Sequence, residues 1–378
     1  MLHTDIPTEA ELRTIAATRS VYCISMYLPT GTLAADAERA RMKLGNQLDE
    51  AVAQLEQVGA DATDIDGVRD GITALIDDSF FWTYQSHSLA IFATPERLMT
   101  FRIPNRLSGG VHVADRFHLK PLLRAVSFPQ AAFVLALSQN AVRMIEVTIE
   151  GSAEDVTIAD LPRDASDIFA TRGDKGSARL IGAEGEKTLL GHYARQISDA
   201  IRPTLNGLRV PLIIAAAEPL ASIFRASSRY DGLVAEAMKG NAETMSANDL
   251  AAEARPILDR VYADEVAALT AQMVEAIGTG TGSADLSDLA RAATYGAVST
   301  LMVDIDRSIS GFVDEQSGAL TLSDTGDATD PDAGDAIDYG VVDEIARRAL
   351  LSGARVVAVR ADAMPDGAAA AGIMRFAV

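Results

Sequence analysis

A single cysteine, Cys23, stands in 378 residues, which excludes an intramolecular disulfide framework and favours a reducing compartment. Set in the apolar run VYCISMYL, it is expected as a small buried hydrophobe of a strand. The chain has no stretch of about 18 consecutive apolar residues, so nothing is expected to span a bilayer. It opens on MLHTDIPTEAEL, where no basic segment is followed by an apolar one, so no secretory leader is expected. A cytoplasmic location without membrane contact follows as the expectation.

Positive charge is also short. The sequence holds 33 Lys+Arg against 53 Asp+Glu, a formal net charge of −20. A field of that sign repels phosphate backbones, so DNA and non-specific nucleic-acid binding are not expected. The deficit is uneven: residues 1–126 carry 12 basic against 16 acidic side chains, 127–245 carry 12 against 15, and 246–378 carry 9 against 22. Any RNA contact should therefore use the first two thirds.

Several catalytic signatures are missing too. The five histidines, His3, His87, His112, His118 and His192, form no HExxH and no cluster with cysteine pairs. His112 and His118 meet only if the backbone between them turns favourably, so no metal is expected. The run SDTGDATDPDAGDAID holds six aspartates but lacks the EF-hand order ending in a bidentate glutamate, and is expected as an acidic surface loop. No GxxxxGK[ST] loop occurs, and GTGTGS at 278–283 follows a helical pattern rather than a strand. No nucleotide or other cofactor is implied. GxSxG is absent, so a serine triad has no starting point.

What is present is a 48% hydrophobic chain whose length suggests two or three domains. Residues 1–126 pattern as a self-contained α/β unit. It comprises a Thr-capped helix at TDIPTEAELRTIAA, a buried strand ending near Pro29, two helices, and a hairpin around TPER. Residues 127–245 give two β-rich runs joined at Ser138-Gln139-Asn140, a polar stretch, a long helix from EKTLLGHYARQI, and the strand VPLIIAAA. Residues 246–378 open with a long helix in which Pro256 is expected as a kink or a first-turn residue. GTGTGS is expected as a flexible link after it, and helices and strands then alternate. The fold class is α/β in three domains, with no internal repeat.

One segment invites a functional reading. In TRGDKGSARLIGAEGEK, Arg172, Lys175 and Arg179 stand within eight residues beside Gly173, Gly176 and Ser177. Cations and backbone N–H groups are thus gathered where a loop approaches a helix, a composition that suits phosphate. A solvated connection is the plainer alternative.

The order of units and several local stretches resemble the bacterial branch of the archaeo-eukaryotic class-1 peptide-chain release factor superfamily, related also to Pelota. The stretches are ISMYLPT with ERARMKLGNQL, then DRFHLKPLLRAVSFPQAAFVLALSQNAVRMIEV, SSRYDGLVAEAMKGN, and YGVVDEIARRALLSGARVVAVRADAMPDGAAAAGIMRF. The resemblance implies three domains: an N-terminal α/β domain, an RNase H-like middle domain, and a C-terminal domain like the kink-turn-binding ribosomal proteins. It implies the ribosome or tRNA as partner, in rescue, recycling or stress. Superfamily members that terminate translation carry a Gly-Gly-Gln loop leading into the long helix of the middle domain, and its glutamine helps position a water against the peptidyl-tRNA ester. Here that position falls on 171–187, and the chain contains no Gly-Gly-Gln.

Ester hydrolysis needs an oriented water and a stabilised oxyanion. Arg172 and Lys175 are not credible bases at their ordinary pKa, while Gln139 and Gln196 are expected in a turn and a helix. Peptidyl-tRNA hydrolysis is thus left in doubt, and binding is favoured over chemistry. Two rivals stand beside this reading. One is a catalytically silent adaptor whose acidic last third holds a basic protein. The other is a metal-dependent hydrolase or nuclease using Glu146 and Asp160, for which no third carboxylate is evident.

Overall fold

The computed structural model describes residues 4–31, 33–129, 131–148, 153–167, 183–208, 210–238, 243–305, 307, 309–322 and 340–376. It divides into two compact units, one of Met1–Thr4 with Pro129–Tyr262 and one of Asp5–Phe128 with Ala263–Val378. The first and last thirds of the sequence therefore share a unit. The middle unit takes the first half of the long helix that was expected to open the third domain.

In the shared unit the chain begins with α1 (Glu9–Ala17). Thr8 caps it: its hydroxyl accepts the Glu11 N–H, and the Glu11 carboxylate accepts the Thr8 N–H in return, so two otherwise orphaned donors are satisfied. Strand β1 (Cys23–Pro29) is followed by α2 (Ala34–Gln57), α3 (Ala62–Asp77) and the short α4 (Ser79–Thr83). The hairpin β2 (Ser88–Thr94) and β3 (Arg97–Ile103), the edge strand β4 (Gly110–Ala114) and α5 (Lys120–Ser127) complete this part. The sheet order is β3-β2-β1-β4.

Alternation along β1 divides its side chains between two cores. Ile24, Met26 and Leu28 pack with Leu44, Leu55 and Ile72 under α2 and α3. Cys23 and Tyr27 join Phe92, Phe117 and residues of the C-terminal part. Tyr27 meets Phe92 edge-on, ring centroids 6.0 Å apart and planes at 87°, a favourable quadrupole arrangement. Burial raises the Cys23 thiol pKa to about 11, which makes it an inert hydrophobe.

The middle unit is built on β5 (Ala131–Leu137), β6 (Val142–Thr148), β7 (Ala153–Asp155), β8 (Leu212–Ala216) and β9 (Leu233–Met238). Their order is β7-β6-β5-β8-β9. β5 and β6 form an antiparallel hairpin, β7 extends it, and β8 and β9 run parallel to β5. All seven residues of β5 are buried, as a central strand covered on both faces requires. The helices are α6 (Ala183–Leu205), α7 (Leu220–Ser227) and α8 (Ala247–Thr279). α8 covers one face, with Leu250, Ala254 and Ile257 against Val134, Ile145 and Ile213.

Pro256 lies in the interior of α8 rather than in its first turn. GTGTGS is not a flexible link. The helix continues to Thr279, Gly280 turns the chain at φ 75°, and β10 (Gly282–Ser283) pairs with Gly372 and Ile373. A Cβ at Gly282 would lie 2.8 Å from the Gly372 carbonyl oxygen, so this glycine permits a close strand approach, not mobility.

The remainder of the shared unit holds α9 (Leu286–Thr294), β11 (Val298–Asp304), the hairpin β12 (Gly311–Val313) and β13 (Leu320–Leu322), α10 (Val341–Leu351), β14 (Arg355–Val359) and β15 (Ala370–Met374). The sheet runs β10-β15-β11-β14. α1 packs on α10 and α5 on β14, which is how the N- and C-terminal parts come to bury a common core.

Candidate functional site

Of the singled-out loop residues, Arg172, Gly173, Lys175, Gly176, Ser177 and Arg179 lie outside the described residues, as does the aspartate run 323–338. The flanks of 171–187 are described. On the approach, Arg143 on β6 makes two bonds of 2.9 Å to the Asp155 carboxylate, a fork that ties β7 to the hairpin. The Asp164 carboxylate accepts the N–H groups of Ser166 and Asp167, and the Ala165 N–H donates to the Gln139 carbonyl. This turn is pinned to the β5–β6 hairpin loop. On the exit side α6 carries the fully buried Tyr193, whose hydroxyl has no hydrogen-bond partner among the described residues. Burial, with Asp164 and Asp167 nearby, drives its pKa upward. Gln139 sits in the hairpin turn and Gln196 on an exposed position of α6, as the sequence pattern suggests.

His112 and His118 do meet. β4 and the turn after it bring the rings to a centroid distance of 4.4 Å with planes inclined at 35°. Burial, then His112 and Lys120, lower the pKa of His118 to about 3, and His112 is lowered by burial, so both are neutral rings near pH 7. Among the described residues no three His, Cys, Asp or Glu side chains are grouped to hold a metal ion. Glu146 is buried on β6 and accepts the Thr4 N–H at 3.0 Å. Asp160 lies in a turn at φ 60°. In register, Glu146 stands opposite Glu154 of β7.

The sequence pattern left two features unread. The first is an open cleft of 970 Å³ beside β9, lined by residues after β8, by α7 and by α8. Arg260 holds Glu236 with two bonds of 2.8 Å, and the Arg225 guanidinium donates to the Ala235 carbonyl. Pro256 also lines it; lacking an N–H, it leaves the Ala252 carbonyl one turn back without its usual helical donor.

The second is a buried ionic cluster on α10. Glu344 accepts from Arg347, Arg348 and, across the unit, Arg116. Burial alone would raise this carboxyl, but the three guanidinium groups outweigh it and hold the pKa at about 2. Its neighbour Asp343 has an Oδ1 with no partner among the described residues, and burial raises its pKa to about 7 against the pull of Lys120. The i, i+3 and i, i+4 spacing within DEIARR was the sign of it.

With this geometry in place, the comparison with known proteins falls on the middle unit. Residues 129–264 match the family model of bacterial archaeo-eukaryotic release factor family 11. The matched segment contains all five strands of the middle sheet and the singled-out loop. No curated protein matches the chain. Among solved structures, the archaeal translation termination factor aRF1 is 17% identical, with 97% of this chain and 96% of that one covered and a TM-score of 0.23. Archaeal Pelota, in a model of ribosome-bound Pelota and ABCE1, is 16% identical over 77% and 78%, with a TM-score of 0.38. Dom34 of S. cerevisiae, described as a translation termination-like factor involved in RNA quality control, is 10% identical over 77% and 81%, with a TM-score of 0.40. Among the described residues no helix is long and apolar enough to cross a membrane.

Proposed function

We propose that this protein is a translation-associated, release-factor-like factor that engages the ribosome or tRNA in rescue, recycling or stress, with loop 171–187 as its contact. The supporting observation is the match of residues 129–264 to a release factor family, because that segment includes residues 171–187. In this reading the middle unit is RNase H-like and the sheets of 1–126, 127–245 and 246–378 are three modules. Arg172, Lys175 and Arg179 supply the cations for a phosphate backbone. Gly173 and Gly176 let main-chain N–H groups approach it closely. Ser177 adds a hydroxyl donor.

The chain contains no Gly-Gly-Gln, and without that glutamine an attacking water has no obvious side chain to orient it. The factor binds rather than hydrolyses. Peptidyl-tRNA-loaded ribosomes incubated with the pure protein should retain their ester bond over the time in which the protein associates. Ester cleavage lost in Arg172→Ala/Lys175→Ala would replace this reading with a rescue hydrolase using an unorthodox loop.

A second reading draws on the 9 basic against 22 acidic side chains of residues 246–378. That surface suits a basic protein partner better than RNA, and a silent adaptor would use it. A salt-sensitive protein complex that survives the double loop substitution supports the adaptor. A complex lost with the loop does not.

A further inference from the structure

Among the described residues β9 ends its sheet, and its one ladder there is the parallel one to β8. The Leu212 N–H donates to the Gly232 carbonyl, so residue 232 faces the ladder; the register then shifts between the Leu212–Leu233 and Ile214–Ala237 pairs, a bulge that leaves Ala235 without a partner in the ladder. The contact from Arg225 to the Ala235 carbonyl agrees, since that oxygen is satisfied by a side chain standing where the N–H of another strand would lie. Exposed edges are ordinarily blunted or covered. Here the edge opens onto the 970 Å³ cleft instead.

The charge of the cleft selects the occupant. Its acidic and basic lining side chains are Glu218, Glu236, Glu253, Arg225 and Arg260. Arg260 is spent on Glu236, and Arg225 holds a neutral carbonyl. Among the described residues Glu218 accepts the Ser222 N–H and Glu253 makes no ion pair; both are exposed. Two carboxylates therefore face the cleft uncompensated. An RNA strand would meet repulsion there.

We infer that the outer edge of β9 and its cleft receive an extended, cationic peptide segment of a partner protein, laid beside β9 as an added strand. Main-chain bonds to the groups of Ala235 outside the ladder supply the affinity, as in other strand-addition complexes. Glu218 and Glu253 select lysine or arginine side chains. Arg225 leaves the Ala235 carbonyl as the incoming N–H takes its place. The inference does not rest on ribosome binding, and either can fail alone.

Fluorescence anisotropy with the full-length protein tests it, using three labelled ten-residue peptides: alternating lysine and valine, the same peptide with glutamate for lysine, and the lysine peptide with proline replacing each valine. The lysine–valine peptide should bind, and the other two should bind at least ~tenfold more weakly. Glu253→Lys should weaken binding by ~tenfold. Ala235→Pro, which removes from an edge strand an N–H outside the ladder, should abolish it. As a check independent of that variant's folding, the wild-type amide of Ala235 should gain hydrogen-exchange protection when peptide is added. Equal binding of the proline peptide would reduce the site to bulk charge attraction and overturn the inference. So would absence of binding, an unchanged affinity in Glu253→Lys, or self-association of the protein through β9 in place of peptide uptake.

Discussion

Arg116 donates to Glu344 across 228 residues of sequence, and the bond ties the segment before α5 to the helix α10. Arg347 and Arg348 converge on the same carboxylate, whose side chain is 6% exposed. Arg348 in turn donates to the Val313 and Asp314 carbonyls of the β12–β13 hairpin. One buried carboxylate thus organises three guanidinium groups from two distant parts of the chain.

Removing that charge should be costly. Glu344→Gln leaves three buried or half-buried cations facing one another, a loss of about 3–5 kcal/mol by analogy with other broken buried pairs. Urea denaturation followed by tryptophan fluorescence, with Trp82 as the reporter, measures it. A change below about 1 kcal/mol would mean that the cluster behaves as a surface pair.

Asp343 should make stability depend on pH. Its folded pKa of about 7 lies above the ordinary 3.8, so between these values the native state holds a proton that the unfolded chain has released. Stability from this group is therefore lost as pH rises from about 4 to about 7. The charged and titratable groups facing it are Lys120, Glu344 and Tyr27. Asp343→Asn should flatten the slope of Tm against pH over that window and raise Tm at pH 8. An unchanged slope would show Asp343 to be ionised in the folded protein.

Much of the architecture was legible because local signals agreed with one another. A threonine cap and an acidic first turn announced α1, the spacing in α2 and α3 matched their buried faces, and the TPER turn gave β2 and β3. The unread parts depend on distant partners. β4 and β9 are short edge strands whose five and six residues carry too little pattern to stand apart from loops. The expectation for GTGTGS failed because glycine serves equally for mobility and for close packing, and only Gly372 opposite decides which. His112 and His118 are six positions apart, and only the turn between them shows that their rings touch. The sharing of a core between the first and last thirds left no local trace at all.

Tyr193→Phe should stabilise the middle unit. The hydroxyl is buried without a partner among the described residues, so removing it relieves a desolvation cost of about 1 kcal/mol or more. A higher Tm of the variant is the expected result; a lower one would reveal a bond made by that hydroxyl in solution.

Gly318 and Gly59 separate backbone strain from crowding. Both have positive φ, 69° and 77°, but a Cβ at Gly318 would lie 2.7 Å from the Thr294 hydroxyl and 2.8 Å from the Arg291 Cα, whereas at Gly59 it meets nothing within 4 Å. Gly59→Ala should cost about 1 kcal/mol and Gly318→Ala distinctly more. Equal costs in parallel denaturation curves would mean that the β12–β13 turn yields without resistance.

The most direct test of the functional account is cosedimentation of the pure protein with ribosomes, repeated with Arg172→Ala/Lys175→Ala across a salt series. The account predicts that the wild-type protein pellets with ribosomes and that the double variant stays in the supernatant, with the wild-type association weakening as salt is raised. A wild-type protein that never pellets, or a double variant that pellets equally well, would contradict it.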